Sequence, residues 1–218
     1  MNVMMMDQQA YWDRAASQKK FTTPFQVDVF KSHVSKDAAI LDVGCGYGRI
    51  MNTLYQEGFK KIYGIDFSQK MIEKGKKSYP FFNFKKCSAA FPFSDNTFDA
   101  VVLIAVLTCI VEDKDQERLM DEIKRVLRLH GSLYINDFLI NFDQRNIDRY
   151  DEFKETYGVY GVFELEKAAQ LRHHTRDHLS HLTRNFETEV FKPQVFTTMN
   201  RHTSNGFYYL GKLKDKKI

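Results

Sequence analysis

A chain of 218 residues with 43% hydrophobic and 14% aromatic side chains can bury the core of one α/β domain and still carry a lid. Thirty-two basic against 28 acidic side chains leave a formal charge of +4, and outside Lys74-Lys76-Lys77, Lys85-Lys86 and a lysine-rich tail no basic stripe forms, which speaks against a nucleic-acid partner. Cys45, Cys87 and Cys109 have no paired spacing, so a disulfide frame or zinc site is not expected; the start lacks a signal-peptide pattern, and the longest apolar run, 100–110, is too short to span a bilayer. A reducing cytoplasm fits these features.

The segment 1–37 contains the only tryptophan, Trp12, and is expected to fold as a helical lid. From 38 to 138 strand and helix alternate. Apolar 40–43 predicts a buried strand, and 49–57 an amphipathic helix closed by Gly58. A second strand covers 61–65, and Ser68 caps a helix that runs to 77 before Tyr79-Pro80. Strands follow at 82–87 and 98–104, the second apolar enough for a parallel sheet. A helix over 114–127 leads to Gly131, which turns the chain into a strand at 132–136. The charged and aromatic insert 139–171 shows no strand pattern. Thr175 caps a helix to 183, and two antiparallel strands at 190–196 and 206–213 finish the chain across the polar linker 197–205.

The chemistry concentrates in Asp42-Val43-Gly44-Cys45-Gly46-Tyr47-Gly48, where a strand turns through glycine backbone into a helix. Such a turn lets a ligand lie against the main chain. Asp66, at the end of the next strand, is placed to hold ribose hydroxyls. The G-x-G-x-G spacing is one residue shorter than the dinucleotide fingerprint, and no Lys-Ser or Lys-Thr follows, which excludes a phosphate-binding P-loop.

Leu41-Asp42-Val43-Gly44-Cys45-Gly46-Tyr47-Gly48 resembles motif I of the class I S-adenosylmethionine-dependent methyltransferases, L-D-x-G-C-G-x-G. Four further segments resemble that family in order: Gly64 to Ile72, Phe91 to Asp99, Val106-Leu107, and Arg125 to Leu133. The resemblance covers about 40–138. It implies a Rossmann-like α/β fold with a mostly parallel seven-stranded sheet, an antiparallel last strand and helices on both faces. It implies S-adenosylmethionine as cofactor and S-adenosylhomocysteine as product. By position it assigns Asp42, Gly44, Cys45, Gly46, Gly48, Asp66, Phe67, Met71, Cys87, Ser88, Ala89 and Ala105 to the cofactor, with Asp42 toward the methionine amine, Asp66 on the ribose, and Phe67 and Met71 on the adenine.

Two departures stand out. Cys87-Ser88 replaces the usual Asp-Ala at the adenine edge, and Thr108-Cys109 replaces the usual His-His. No Asn-Pro-Pro-Tyr motif of amino-group DNA methyltransferases occurs, and no catalytic residue is assigned. Displacement at a sulfonium needs alignment more than a base. Tyr11, Trp12, His173 and His174 are candidate acceptor contacts. The run of His173, His174, His178 and His181 lacks the partners of a metal site.

The chain therefore reads as one methyltransferase domain, divided into a lid at 1–37, a cofactor core at 38–138, a substrate-side insert at 139–171 and a closing helix and strand pair at 172–218. A small-molecule acceptor, methylated at O, N, S or C, and a monomer or homodimer are expected. Methylation of protein or RNA, non-catalytic cofactor binding, and a nicotinamide-dependent oxidoreductase are the competing readings.

Overall fold

The computed structural model describes residues 8–87, 90–165 and 169–215. Five parallel strands come first: β1 (Ala39–Val43), β2 (Lys61–Asp66), β3 (Asn83–Lys86), β4 (Phe98–Ile104) and β5 (Leu127–Phe138). β8 (Phe186–Thr197) and β9 (Thr203–Leu213) close the sheet in the order β3-β2-β1-β4-β5-β9-β8, with β9 antiparallel to both neighbours. This is the expected Rossmann-like methyltransferase topology. β1 lies between β2 and β4, with Val43 opposite both Ile65 and Leu103. The strand order reverses there, and ligands bind beyond the carboxyl ends of strands at such a switch.

Alternation along the strands sends residues to two separate cores. Leu41, Val43, Val101, Leu103, Leu133 and Ile135 meet α5 (Asp113–Val126) and α7 (Arg176–Leu182) through Met120, Ile123, Leu179 and Leu182. Ile40, Ile62, Ala100, Val102 and Tyr134 face the other way. They meet α2 (Val27–His33), α3 (Arg49–Gln56) and α4 (Gln69–Ser78) through Phe30, Met51, Leu54 and Ile72. Burial on both faces explains why these strands read as apolar runs. Asp99 pins the sheet's lower edge: Oδ2 accepts the Ala39 amide at 2.8 Å and Oδ1 accepts Arg128 at 2.5 Å.

Caps fall where the sequence places them. Ser68 Oγ accepts the Met71 amide at 3.1 Å, and Thr175 Oγ1 accepts the His178 amide at 3.2 Å. Three expectations need correction. Gly131 does not start β5 but lies within it. Leu127 already pairs with Phe98, and the register slips before Ser132 while His130 takes φ 59°. The final strands are longer than expected, so their connection shrinks to 198–202.

The insert also contains strands. After α6 (Gln144–Tyr157), β6 (Val162–Leu165) and β7 (Ala169–Arg172) form a separate antiparallel hairpin. Each strand has four residues and its burial does not alternate: Val162 and Phe163 are both buried. The hairpin contacts α6, the 3-10 turn Leu107–Cys109 and α1 (Gln8–Gln18). Covered on more than one side, it loses the period-two signal that would have announced it. Among the described residues no helix is long and apolar enough to cross a membrane.

Candidate functional site

The loop after β1 carries Gly44, Gly46 and Gly48 at φ 68°, 53° and 87°, a left-handed path that L side chains rarely take. At Gly46 a Cβ would also lie 2.9 Å from the Phe21 ring. The loop is fixed from the neighbouring strand. Asp66 Oδ2 accepts the Gly46 amide at 2.8 Å, and Oδ1 accepts the Ser68 amide at 2.8 Å. Burial pushes the Asp66 pKa up to about 6, against the pull of those amides.

Asp42 is 1% exposed, and its Oδ2 has no hydrogen-bond partner. Desolvation raises its pKa to about 8, with Arg49 opposing the shift and Asp66 adding to it. Arg49, the first residue of α3, donates from Nη2 to the Thr23 carbonyl at 2.6 Å while its Nε is buried without a partner. An acid and a base thus flank the glycine loop, each with unused hydrogen-bonding capacity. A buried polar group in that state marks a place where a ligand completes the set.

Both groups line a cavity of about 1350 Å³ that runs from the glycine loop to the hairpin. α1 covers part of it. Asp13 docks that helix by accepting from Ser68 Oγ at 2.5 Å and the Lys70 amide at 3.1 Å, and Lys74 donates to the Ala16 carbonyl at 2.7 Å. Trp12 packs edge-on against Phe21, which stacks on Tyr47 at 5.3 Å, and all three rest near Met71. At the far end Gln8 donates to the Gln170 carbonyl at 2.6 Å, so α1 bridges α4 and β7.

At the hairpin end the wall joins Phe163 of the insert to Phe138 at the end of β5 and His173 just after β7. His173 stacks on Phe138 with ring centres 5.2 Å apart and meets Phe163 edge-on at 4.9 Å. Its Nδ1 is held 2.5 Å from the Tyr150 hydroxyl and 3.2 Å from Asn141 Nδ2. Burial, then the charges of Arg149, His174 and Arg145, keep His173 neutral by lowering its pKa well below the usual histidine range.

His174 takes a different position. It is 1% exposed, with Nε2 2.9 Å from Gln116 and Nδ1 3.3 Å from the Phe138 carbonyl, and burial lowers its pKa to about 3. Gln116 also meets His178 Nε2 at 2.7 Å, and His181 pairs with Glu117. These histidines fasten α7 to α5. Among the described residues no group of three or more His, Cys, Asp or Glu could hold a metal ion.

Asp42, Gly44, Cys45, Gly46, Asp66, Phe67, Met71, Cys87, Ala105, Trp12 and His173 therefore line one cavity. Gly48, Tyr11 and His174 do not reach it: Gly48 turns toward Phe84, Tyr11 packs on Trp12, and His174 lies behind the wall. Ser88 and Ala89 lie outside the described residues. Ala105 follows β4 at φ 55°, and its carbonyl accepts the Cys109 thiol at 3.4 Å. Desolvation and nearby Asp137 raise the Cys109 pKa well above that of a free thiol, which makes it a poor nucleophile.

Sequence reasoning passed over Phe21, Arg49, Arg149 and Asp137. Asp137 is wholly buried, with a pKa raised to about 7 by desolvation, and accepts the Thr108 amide at 3.3 Å to hold the turn after β4. Arg49 follows the glycine motif directly and could have been flagged. The other three depend on long-range packing.

A methyltransferase domain family profile matches residues 41–135. The tRNA N(3)-methylcytidine methyltransferase of Drosophila melanogaster is 33% identical over 120 residues, 49% of this chain and 36% of that protein. An O-methyltransferase of Aspergillus sclerotiorum is 27% identical over 180 residues, covering 76% of this chain and 66% of its own. This chain spans well under half the length of several curated relatives it matches. Among solved structures, a SAM-dependent methyltransferase from Methanosarcina mazei superposes with a TM-score of 0.84 at 24% identity, over 89% of this chain and all of the other. Glycine loop, acidic strand ends and sheet order agree with the match of residues 41–135 to a methyltransferase domain, and the chain has the fold of the S-adenosylmethionine-dependent methyltransferases it superposes on.

Proposed function

We propose that this protein binds S-adenosylmethionine between its glycine loop and Asp66 and methylates a nucleophilic O, N, S or C atom of a small acceptor seated against the insert. The observation that carries the reading is Asp42 Oδ2, a buried carboxylate oxygen with no partner inside the cavity. Once an ammonium displaces its proton, Asp42 is an anion with the Arg49 cation beside it, together the complement of a zwitterionic amino acid. When bound, the cofactor supplies an electrophilic methyl group on a sulfonium.

The chain's own residues supply position. Beyond the backbone bonds it accepts from Gly46, Ser68 and Phe67, Asp66 keeps acceptor capacity for a ribose diol. Phe67 and Met71 give the adenine an apolar face, and Cys87, Ser88 and Ala89 follow at its edge by position in the sequence. Val106 and Ala105 bound the methionine end. α1 and the strap through Phe21 exclude water over the loop, with Trp12 facing inward. His173, neutral and anchored by Tyr150, can hydrogen-bond an acceptor without taking a full charge. No dedicated base is invoked, since alignment supplies most of the rate for a good leaving group.

The cavity exceeds the roughly 300–1,000 Å³ of a single-ligand pocket, so cofactor and acceptor fit side by side. A covered cavity favours a small acceptor over a macromolecular surface. The lid, core, insert and closing segments then take the division of labour expected from the sequence, and the three free thiols suit a cytoplasmic setting. Calorimetry with S-adenosylmethionine, S-adenosylhomocysteine and NAD, followed by a screen of small nucleophiles for release of S-adenosylhomocysteine, tests the reading. Binding of NAD in preference to both, or turnover only with RNA or protein, would overturn it.

A further inference from the structure

Arg149 has no use in the fold that matches what it costs to bury. It lies on the cavity wall, half-buried, with its guanidinium carbon 3.4 Å from the centre of the Phe163 ring. Its Nε is buried with no hydrogen-bond partner, while Nη2 donates to the Asn146 side-chain carbonyl and the guanidinium also bonds the neutral Tyr150 side chain. No carboxylate among the described residues forms an ion pair with it. Burial lowers its pKa from the ordinary arginine value, the sign of a cation short of compensation. Arg172 and Arg125, by contrast, meet carboxylates, Asp113 at 2.5 Å and Glu122 at 2.7 Å, while Arg49, which also lacks one, belongs to the glycine loop at the other end of the cavity.

Arg145 opposes the charge of Arg149, and Asp143, which lies 3.9 Å from Arg145, offsets this only in part. Arg145, one helical turn earlier on α6, lines the same wall, and these two are the only charged residues that the described part of α6 and the hairpin present to the cavity. The acids that line it belong to the glycine loop side, Asp42 and Asp66, or to the region of α5. Around Arg149 the wall is otherwise flat and apolar: Phe138, Phe163 and the neutral His173 ring. A fixed, stacked guanidinium of this kind recognises a planar or tetrahedral anion.

We propose that the methyl acceptor carries an anionic group, a carboxylate or phosphate on an unsaturated or aromatic frame, and that Arg149 is the residue that selects it. Arg145 at the rim adds attraction, and Phe163 sets the plane of the guanidinium. The inference rests on the methyltransferase reading for its acceptor, but its binding test does not require turnover.

The test is calorimetric titration of the full chain, saturated with S-adenosylhomocysteine, with benzoate, cinnamate and phenyl phosphate against benzamide and cinnamamide. At least one acid is expected to bind ten-fold or more tightly than its neutral analogue, and the carboxylate and phosphate arms decide which anion is preferred. Arg149→Gln should abolish that preference with little change for the amides, and Arg149→Lys should retain part of it. S-adenosylhomocysteine itself should bind Arg149→Gln within two-fold of wild type, which also shows that the variant is folded. Acids that bind no better than amides, a preference that survives in Arg149→Gln, or a loss of cofactor affinity in that variant would each overturn the proposal. So would Arg149-dependent binding of a tRNA-length RNA without any preference for small acids. Absence of cofactor binding in the wild type would instead sink the methyltransferase reading itself.

Discussion

Asp66 Oδ2 accepts the Gly46 amide at 2.8 Å, so the end of β2 holds the apex of the loop that follows β1. One carboxylate therefore shapes the glycine loop and faces the cavity at once. Asp66→Ala is expected to weaken S-adenosylmethionine binding by about 10- to 100-fold, as befits loss of a charged hydrogen-bond acceptor worth about 1.5–3 kcal/mol. Asp66→Asn should fall between, keeping shape but losing charge. Calorimetry on both variants checks the order, and equal affinity in all three proteins would refute the ribose assignment.

Asp42 makes folding and ligand binding depend on pH. Its pKa is about 8 when folded, against about 3.9 for an unfolded aspartate. The native state therefore holds a proton that the unfolded chain has lost. The corresponding stability is present at low pH and is lost as pH rises toward 8, at up to about 1.4 kcal/mol per pH unit. Asp137, at about 7, acts in the same direction, while the depressed histidines act at lower pH with opposite sign. Asp42→Asn should flatten the fall in denaturation midpoint between pH 6.5 and 8. An ammonium bound at Asp42 would expel its proton, so wild-type binding heats at pH 7 should differ between phosphate and Tris buffers. In Asp42→Asn that difference should shrink.

Asp13 anchors α1, joining it to the start of α4 through Ser68 and Lys70. Asp13→Ala should leave global unfolding almost unchanged but speed proteolysis within 8–26. Faster dissociation of S-adenosylhomocysteine should accompany it, measured by stopped-flow competition. Unaltered dissociation would mean that α1 is a passive cover.

Legibility in the sequence followed the range of the interactions. The glycine loop, the caps at Ser68 and Thr175, and the apolar runs of β1 and β4 are written in neighbouring residues, and they fall where expected. The β6–β7 hairpin is not, because its two four-residue strands are buried by contacts from α6 and α1 instead of by an alternating face. His173 and His174 show the same limit at the site. Adjacent in sequence and alike in type, they are separated by the isolated bridge between Leu139 and His174, which turns one ring to the cavity and the other toward Gln116. Only the packing could tell them apart.

That separation gives the last prediction. His173 reaches the cavity with its Nδ1 tied to Tyr150 at 2.5 Å, and burial keeps it neutral well below pH 6.5. If it orients the acceptor, His173→Gln should lower kcat/KM by about 10-fold or more while cofactor affinity stays within two-fold. Tyr150→Phe leaves the ring in place but frees its tilt; it should cost about 1 kcal/mol of stability and raise KM more than it lowers kcat. The rate profile should show no ionisation of His173 between pH 5.5 and 8, because the residue that titrates there in solution is held neutral here. Acid, by contrast, should destabilise the fold as pH falls below 6.5, since the unfolded chain binds protons that buried His173 and His174 refuse. His173→Gln should reduce that acid sensitivity. A variant that loses cofactor binding along with turnover would assign His173 to the scaffold of the cavity and not to its acceptor.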